Sequence, residues 1–348
     1  MKIKSTEINT ISCLGEEGVK ALILDIQYEN NLINKLFEAT FYLGQLESLF
    51  LSHNFKSIYP LLMKKETLFS FKLDNCNITL DDLLGYEMCD ESKYDADLIM
   101  AANYIRVLNL GLSKLESGEE LSVDLIRSMH SELFISKGVG KSKIENNLKD
   151  IVNFIQFKSS QVPPLIVAGL AYAYFDSTCL FEDGNGRFGR MIVTLVLVES
   201  GMKGASLLSL SHFLLKHKEI YTEKLLDARL SGHWEGWLEF FLEGISKASV
   251  DVISAIQELD NIYKRDKEEL FSSGKKTSGI LLTFEVLFSQ GVANAQRVAS
   301  DTKLRMPTVN KVLRELEDLG MVVETTGKQR GRSYMYSDVY RVLTSDLD

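Results

Sequence analysis

Residues 179–190, CLFEDGNGRFGR, hold the densest concentration of reactive and flexible residue types in the chain. Gly184, Asn185 and Gly186 permit backbone angles closed to most side chains and let amides approach a ligand closely. The run leads into an apolar stretch, so its amides fall at a helix start, where N–H groups lack intrahelical partners and carry partial positive charge. Arg187 and Arg190 lie three apart and project from one side of that first turn. Amides and two guanidinium groups at a helix start suit a di- or triphosphate. Asp183, just ahead of the glycines, is placed to hold a Mg²⁺ ion bridging phosphate oxygens. The competing reading is an ordinary Asp-Gly-Asn-Gly turn, although a turn does not require two arginines on the helix behind it.

The elements that must position this run are helical. Pro163 and Pro164 open LIVAGLAYAYF, apolar on every side and therefore central. Behind the run, a second core helix starts near Arg187 and stops before Gly201. Upstream, Ser122 is a helix cap followed by Asp124, with Val123, Ile126, Met129 and Leu133 on one face. Leu36, Leu43, Leu46 and Phe50 mark an earlier helix, and LILDIQY before it reads as a short strand. No function is read from residues 1–35. Val252 to Tyr263 forms another amphipathic helix, and FSSGKKTSG after it reads as the main linker.

Composition narrows the class. The chain has 348 residues, 45% hydrophobic and 25% charged, enough for two or three domains of a mainly helical protein. MKIKSTEINTI lacks the apolar run of a signal peptide, and no stretch is long enough to span a bilayer, which points to a cytoplasmic protein without membrane contact. Cys13, Cys76, Cys89 and Cys179 are widely spaced, which argues against zinc or disulfides and for a reducing compartment. The net charge of −9 disfavours nucleic-acid binding by the whole chain, yet Lys275 to Arg332 holds ten Lys/Arg against six Asp/Glu, leaving −13 on the remainder. Nucleic-acid contact is therefore expected only at the C-terminal end.

The run resembles the Fic-family signature H-x-F-x-[D/E]-G-N-G-R-x-x-R, matching every fixed position from Phe181 to Arg190. The resemblance implies a loop that anchors ATP phosphates for AMP transfer to a protein hydroxyl, with ATP and Mg²⁺ as ligands. It casts Phe181 as packing under the loop and Asp183 as the metal ligand. Asn185, Arg187 and the backbone of Gly184 and Gly186 then hold phosphate, while Arg190 reaches the γ-phosphate. The segment LSLSHFLLKHKEIYTEKLLDARLSGHWEGWLEFFLEGI resembles the family's region after the core helix, with Tyr221 as a wall of the adenine pocket. KKETLFSFKLDNCNITLDDLL resembles the family's N-terminal inhibitory helix, near 66–75, with Ser70, Asp74 and Asn75 in the pattern [S/T]-x-x-x-E-[G/N]. Asp74, one methylene shorter than the usual glutamate, is then the partner of Arg190; the alternative is an ordinary capping pair at a helix end.

Two departures redirect the reading. Cys179 stands where the signature has its histidine, and a thiol of reference pKa about 8.5 is a poor general base at neutral pH. Losing a positioned base costs roughly 10²–10⁴ in rate. A thiolate stabilised by the arginines is the alternative, against a cysteine that merely packs. Between the Ser122 helix and Pro163 no target-docking hairpin is recognisable, with Lys137 to Lys143 at most a stub. The expectation is a nucleotide-binding protein whose AMP transfer is lost or crippled; an active transferase using Cys179, or a regulator using the Fic domain as scaffold, are the alternatives.

Residues 277–348 read as a winged helix, an α+β unit after an N-terminal helical region (1–110), a Fic core (111–250) and a connecting helix and linker (251–276). ILLTFEVLFSQ forms its first helix and Ala295 to Ser300 its second, with Val298, Ala299 and Leu304 at the corner. Pro307 opens a recognition helix with Val309, Val312, Leu313, Leu316 and Leu319 inward and Gly320 at its end. Arg305, Thr308, Asn310, Lys311 and Arg314 are left to face a major groove. MVVET and SYMYS flank a basic tip carrying Lys328, Arg330 and Arg332, suited to phosphate. Protein interaction is the competing use of such a unit, and a homodimer is expected by analogy with other winged-helix proteins. The target protein and the DNA sequence are not legible.

Overall fold

In the computed structural model, the structure describes residues 26–51, 55–86, 95–133, 141–156, 162–178, 184–274, 277–329 and 331–347. The described chain is mainly helical with one small sheet. In order run α1 (Asn30–Phe50), α2 (Phe55–Leu73), α3 (Leu80–Gly85), α4 (Ala96–Glu116), α5 (Val123–Leu133), α6 (Lys141–Gln156), α7 (Pro164–Thr178) and α8 (Asn185–Glu199). A 3₁₀ turn (Lys203–Leu207) precedes α9 (Leu210–Lys216), α10 (Lys218–Ser231) and α11 (Glu235–Ser272). The C-terminal elements are α12 (Ser278–Gln290), β1 (Val292–Asn294), α13 (Ala295–Thr302), α14 (Met306–Asp318), β2 (Val322–Glu324), β3 (Ser333–Tyr336) and α15 (Ser337–Thr344).

Contacts divide the chain into two units. The first comprises residues 1–50, 69–77 and 103–250, and the second residues 51–68, 78–102 and 251–348. In the first, α7 and α8 form the centre. Leu165, Ile166, Ala168, Leu170, Tyr172 and Phe175 are all buried, as the all-round apolar pattern demands. Gly169 is required where α7 meets Phe241, since a Cβ there would lie 2.8 Å from its ring. The Gly169 carbonyl accepts a hydrogen bond from Trp237 Nε1 at 2.9 Å. α5 begins where expected, the Ser122 hydroxyl accepting from Leu125 N–H at 3.2 Å.

Three local readings change. Ile26 to Glu29 is irregular, so the described part of LILDIQY is no strand. α1 begins at Asn30 rather than near Leu36, and its buried face therefore runs Leu32, Ala39, Leu43, Leu46, leaving Leu36 and Phe50 half-buried. Lys141–Gln156, expected as part of a loop with no recognisable hairpin, is a helix, because Leu148, Ile151, Val152 and Ile155 recur at helical spacing and are buried. Residues 137–140 of the expected stub (Lys137 to Lys143) lie outside the described residues.

In the second unit, α12, α13 and α14 pack on a sheet of order β1-β3-β2. β3 is central and antiparallel to both neighbours, with Val292 opposite Met335 and Val323 opposite Met335 from the other side. Asn294 caps α13 through its side-chain oxygen, which accepts from Arg297 N–H at 2.8 Å. Pro307 sits in the first turn of α14, and Val309, Val312, Leu313 and Leu316 are buried. Leu319, expected inward, is half-buried because the helix ends at Asp318. The helix seen over Val252–Tyr263 is the middle of α11, which extends to Ser272 and takes in the start of FSSGKKTSG. Thr277 caps α12, its hydroxyl accepting from Ile280 N–H at 3.3 Å. Asp266 on α11 is buried, and the Tyr336 hydroxyl of β3 donates to it at 2.5 Å. That carboxylate and burial together push the Tyr336 hydroxyl far above its ordinary pKa, burial being the larger cause. No helix among the described residues is long and apolar enough to cross a membrane.

Candidate functional site

The site forms where α7 ends and α8 begins. Gly184, immediately before α8, adopts a left-handed backbone (φ 75°), and no side chain caps the helix. A helix start of this kind presents amide dipoles toward the adjoining space. Gly186 is needed for a different reason. A Cβ on it would come to 3.0 Å from Arg190 Nη1 and 3.6 Å from Asp176 Oδ1.

Arg187 and Arg190 are both only 4% exposed. Two buried guanidinium groups need compensation, and one carboxylate supplies it to both. Asp74 Oδ2 lies 2.8 Å from Arg187 Nε, and Asp74 Oδ1 lies 3.0 Å from Arg190 Nη2. Arg190 also donates from Nε to the Ser70 hydroxyl at 2.9 Å and from Nη2 to the Ser70 carbonyl at 2.8 Å. Burial opposes the charge on Arg190, but Asp74, foremost among its neighbours, more than offsets this and holds its pKa above the ordinary guanidinium value. The Arg187 guanidinium covers the Phe71 ring at 4.8 Å.

Asp74 reaches the arginines because α2 ends in a tight turn. The Asp74 and Asn75 amides donate to the Phe71 and Lys72 carbonyls at 3.1 and 3.0 Å, and Cys76 N–H donates to the Phe71 carbonyl at 3.0 Å. Asn75 is left-handed (φ 61°), a conformation that favours glycine and asparagine. Lys218 Nζ, at the start of α10, donates to the Leu73 carbonyl at 2.9 Å and to Asn75 Oδ1 at 3.1 Å.

A cavity of about 300 Å³ adjoins these groups. Asp74, Gly184, Asn185, Gly186, Arg187 and Arg190 line it, together with Lys218, Tyr221, Asp176 and Leu73. The Tyr221 hydroxyl donates to Asp176 Oδ1 at 2.9 Å and accepts from the Tyr172 hydroxyl at 3.1 Å. Arg229 Nη2 completes the chain, 2.9 Å from Asp176 Oδ2. Burial pushes the Tyr172 hydroxyl up to about 12 and lifts Tyr221 well above its ordinary value, so both stay protonated near neutrality.

The structure thus brings together Gly184, Asn185, Gly186, Arg187, Arg190 and Tyr221 with Ser70 and Asp74, while Asn75 joins through Lys218. Cys179, Phe181 and Asp183 lie outside the described residues. Among the described residues no group of three or more His, Cys, Asp or Glu is placed to hold a metal. Sequence reasoning missed Lys218, Asp176 and Phe71. Lys218 carried one available signal: it precedes Tyr221 by three positions, hence shares its helix face.

In the second unit, Arg305, Thr308, Asn310, Lys311 and Arg314 are exposed on or beside α14, as are Lys328 and Arg332 at the hairpin tip. Lys311 lies 3.7 Å from Glu315, and Arg332 Nε donates to the Lys328 carbonyl at 2.8 Å. Arg330 lies outside the described residues.

Comparison with known proteins places both regions. A Fic family protein from Desulfovibrio desulfuricans G20 superposes with a TM-score of 0.55 at 13% identity, covering 89% of this chain and 97% of that one. A point variant of Fic-1 from C. elegans (residues 134–508) gives 0.54 at 18% identity over 64% of this chain and 71% of that one. At these identities the likeness is one of fold. A curated Aquifex aeolicus protein, named a probable protein adenylyltransferase, is 24% identical over 165 residues, 40% of this chain. The matched stretch spans about half, 49%, of that relative's length. Residues 281–345 match the family described as sugar-specific transcriptional regulator TrmB.

Proposed function

For a chain with the Fic fold and a TrmB-matching C-terminal segment, we propose a cytoplasmic regulator. Its first unit binds a nucleoside triphosphate, ATP with Mg²⁺, without efficient AMP transfer, and its second unit binds DNA. One observation carries the nucleotide reading: two buried arginines at a helix start share a single carboxylate beside a cavity. Buried cations held by one aspartate on a neighbouring turn are suited to exchanging that carboxylate for phosphate oxygens.

The described residues fit such a ligand. Arg187 and Arg190 would take the phosphates with the amides of Asn185 and Gly186, and Tyr221 would border the base; Asp183, outside the described residues, is the Mg²⁺ ligand that the signature resemblance implies. A bound triphosphate supplies an activated phosphoanhydride; the chain's own part is to grip and orient it. Transfer further requires a group that accepts the target hydroxyl's proton, and the chain has Cys179 at that signature position. A largely protonated thiol meets that need poorly. Asp74 keeps Arg190 engaged and so works against productive phosphate binding.

Calorimetry with ATP and Mg²⁺ tests the site. Asp74→Ala should bind at least tenfold more tightly than the natural protein, equivalent to about 1.4 kcal/mol. Absence of any purine nucleotide binding in both proteins refutes the reading. Mass spectrometry after incubation with Mg²⁺-ATP tests the chemistry. AMP attached to the protein or to a lysate protein, and lost in Cys179→Ala, would show an active transferase instead. Cys179→His, if it restores self-labelling, shows that the remaining pocket is competent.

The DNA reading rests on the TrmB match and on exposed Arg305, Asn310 and Arg314 along α14. An electrophoretic shift with the chain's own promoter, weakening steeply with salt, is expected; no shift at low salt overturns it.

A further inference from the structure

Lys218 has no place in the reading so far. It is the first residue of α10, whose start is fixed by the Tyr221 N–H donating to the His217 carbonyl at 2.9 Å. Its ammonium lies on the wall of the same cavity as Arg187 and Arg190. Two of its three donors are used at 2.9 and 3.1 Å on the turn that carries Asp74. The two acceptors differ, the Leu73 bond being part-buried and the Asn75 bond exposed. The Leu73 carbonyl closes α2 and belongs to the last four carbonyls, which lack intrahelical partners and carry the helix's partial negative charge. The Asn75 side-chain oxygen is turned to Lys218 by a left-handed backbone. Asp74 therefore sits between two anchored neighbours, Leu73 and Asn75.

We propose that Lys218 is a positioning residue that pins the turn after α2 and thereby holds Asp74 across Arg187 and Arg190. Loss of the pin opens the site to a nucleoside triphosphate. The inference rests on the nucleotide reading above and adds how the shut arrangement is maintained. The aspartate is a quarter exposed (24%), and its carboxylate is one methylene shorter than a glutamate's. Its reach depends on where its backbone is held. An ammonium committed to a carbonyl and an amide oxygen supplies that hold without being a phosphate ligand itself. The alternative, a third phosphate-binding cation, predicts the opposite sign on substitution.

The test uses the full chain and Mg²⁺-ATP. Lys218→Met should tighten binding about three- to tenfold, the scale expected when a partly exposed charge-assisted hydrogen bond is removed. Lys218→Arg should restore the natural affinity, and Lys218→Met added to Asp74→Ala should change nothing further, since the pin acts through Asp74. Weaker binding by Lys218→Met, or an additive double variant, overturns the proposal. Hydrogen exchange read by mass spectrometry on the peptide containing Asp74, Asn75 and Cys76 needs no nucleotide. Exchange should be several-fold faster in Lys218→Met and near natural in Lys218→Arg. Unchanged exchange in Lys218→Met overturns the pin whatever the calorimetry shows. Failure of Asp74→Ala to bind ATP, with faster exchange in Lys218→Met, instead refutes the nucleotide reading and leaves the pin standing.

Discussion

The two units use positive charge in opposite ways. In the first, Arg187 and Arg190 are almost completely buried, paid for by Asp74 and Ser70, and already oriented. In the second, Arg305, Lys311, Arg314 and Lys328 stand exposed on a helix and a hairpin tip. A buried cation needs its counter-charge before any ligand arrives, so ligand binding there is an exchange of partners. An exposed cation is compensated by water and salt, so binding there releases ions. On the proposed readings, the first arrangement would act as a switch with a shut state and the second as a surface whose affinity follows ionic strength.

The sharpest way to break this contrast is Arg187→Ala in the Asp74→Ala background. Two or more charge-assisted bonds to phosphate should be lost, lowering ATP affinity about 100-fold or more, with little dependence on salt. A strong salt dependence measured by calorimetry would make the first site a surface like the second. Next in size, Arg314→Ala should weaken DNA binding about tenfold. Lys328→Ala, at a proposed phosphate contact, should lower the slope of log affinity against log salt by about one. If neither changes in fluorescence titrations, α14 and the tip are not the DNA-facing surface. The smallest effect concerns stability in the first unit. Burial holds the His130 imidazole down to about 4, below its ordinary 6.5. The unfolded chain therefore binds that proton first, and stability is lost as pH falls from about 6.5 toward 4. His130→Leu should flatten this loss in thermal unfolding between those pH values; an unchanged profile assigns the loss to other groups.

The run from Gly184 to Arg190 was legible because its residue types answer separate structural needs. Gly184 provides a left-handed angle, Gly186 admits the Arg190 guanidinium, and the arginines share a helix face. α14 was legible for a simpler reason, the spacing of Val309, Val312, Leu313 and Leu316 behind Pro307. Asp74 could be proposed from its pattern, but its double engagement could not, since it depends on how α2 ends. Lys218 was hidden because its partners, a main-chain carbonyl and an asparagine, lie 145 and 143 residues away and leave no mark on the residues around it. α6 was missed because a hairpin was sought where Leu148, Ile151 and Ile155 already spelled a helix. The start of α1 and the length of α11 are boundaries, set by packing more than by local residue type.

The Tyr336–Asp266 hydrogen bond has a practical bearing on anyone who would isolate the C-terminal module. A fragment cut at the Gly/Lys-rich stretch keeps Tyr336 in its sheet but discards the aspartate, 70 positions earlier, that receives its proton. Its phenol would then lose its acceptor and the cover of α11. A fragment that begins before Asp266 carries its own keystone and is the better starting point for solution work on the module alone.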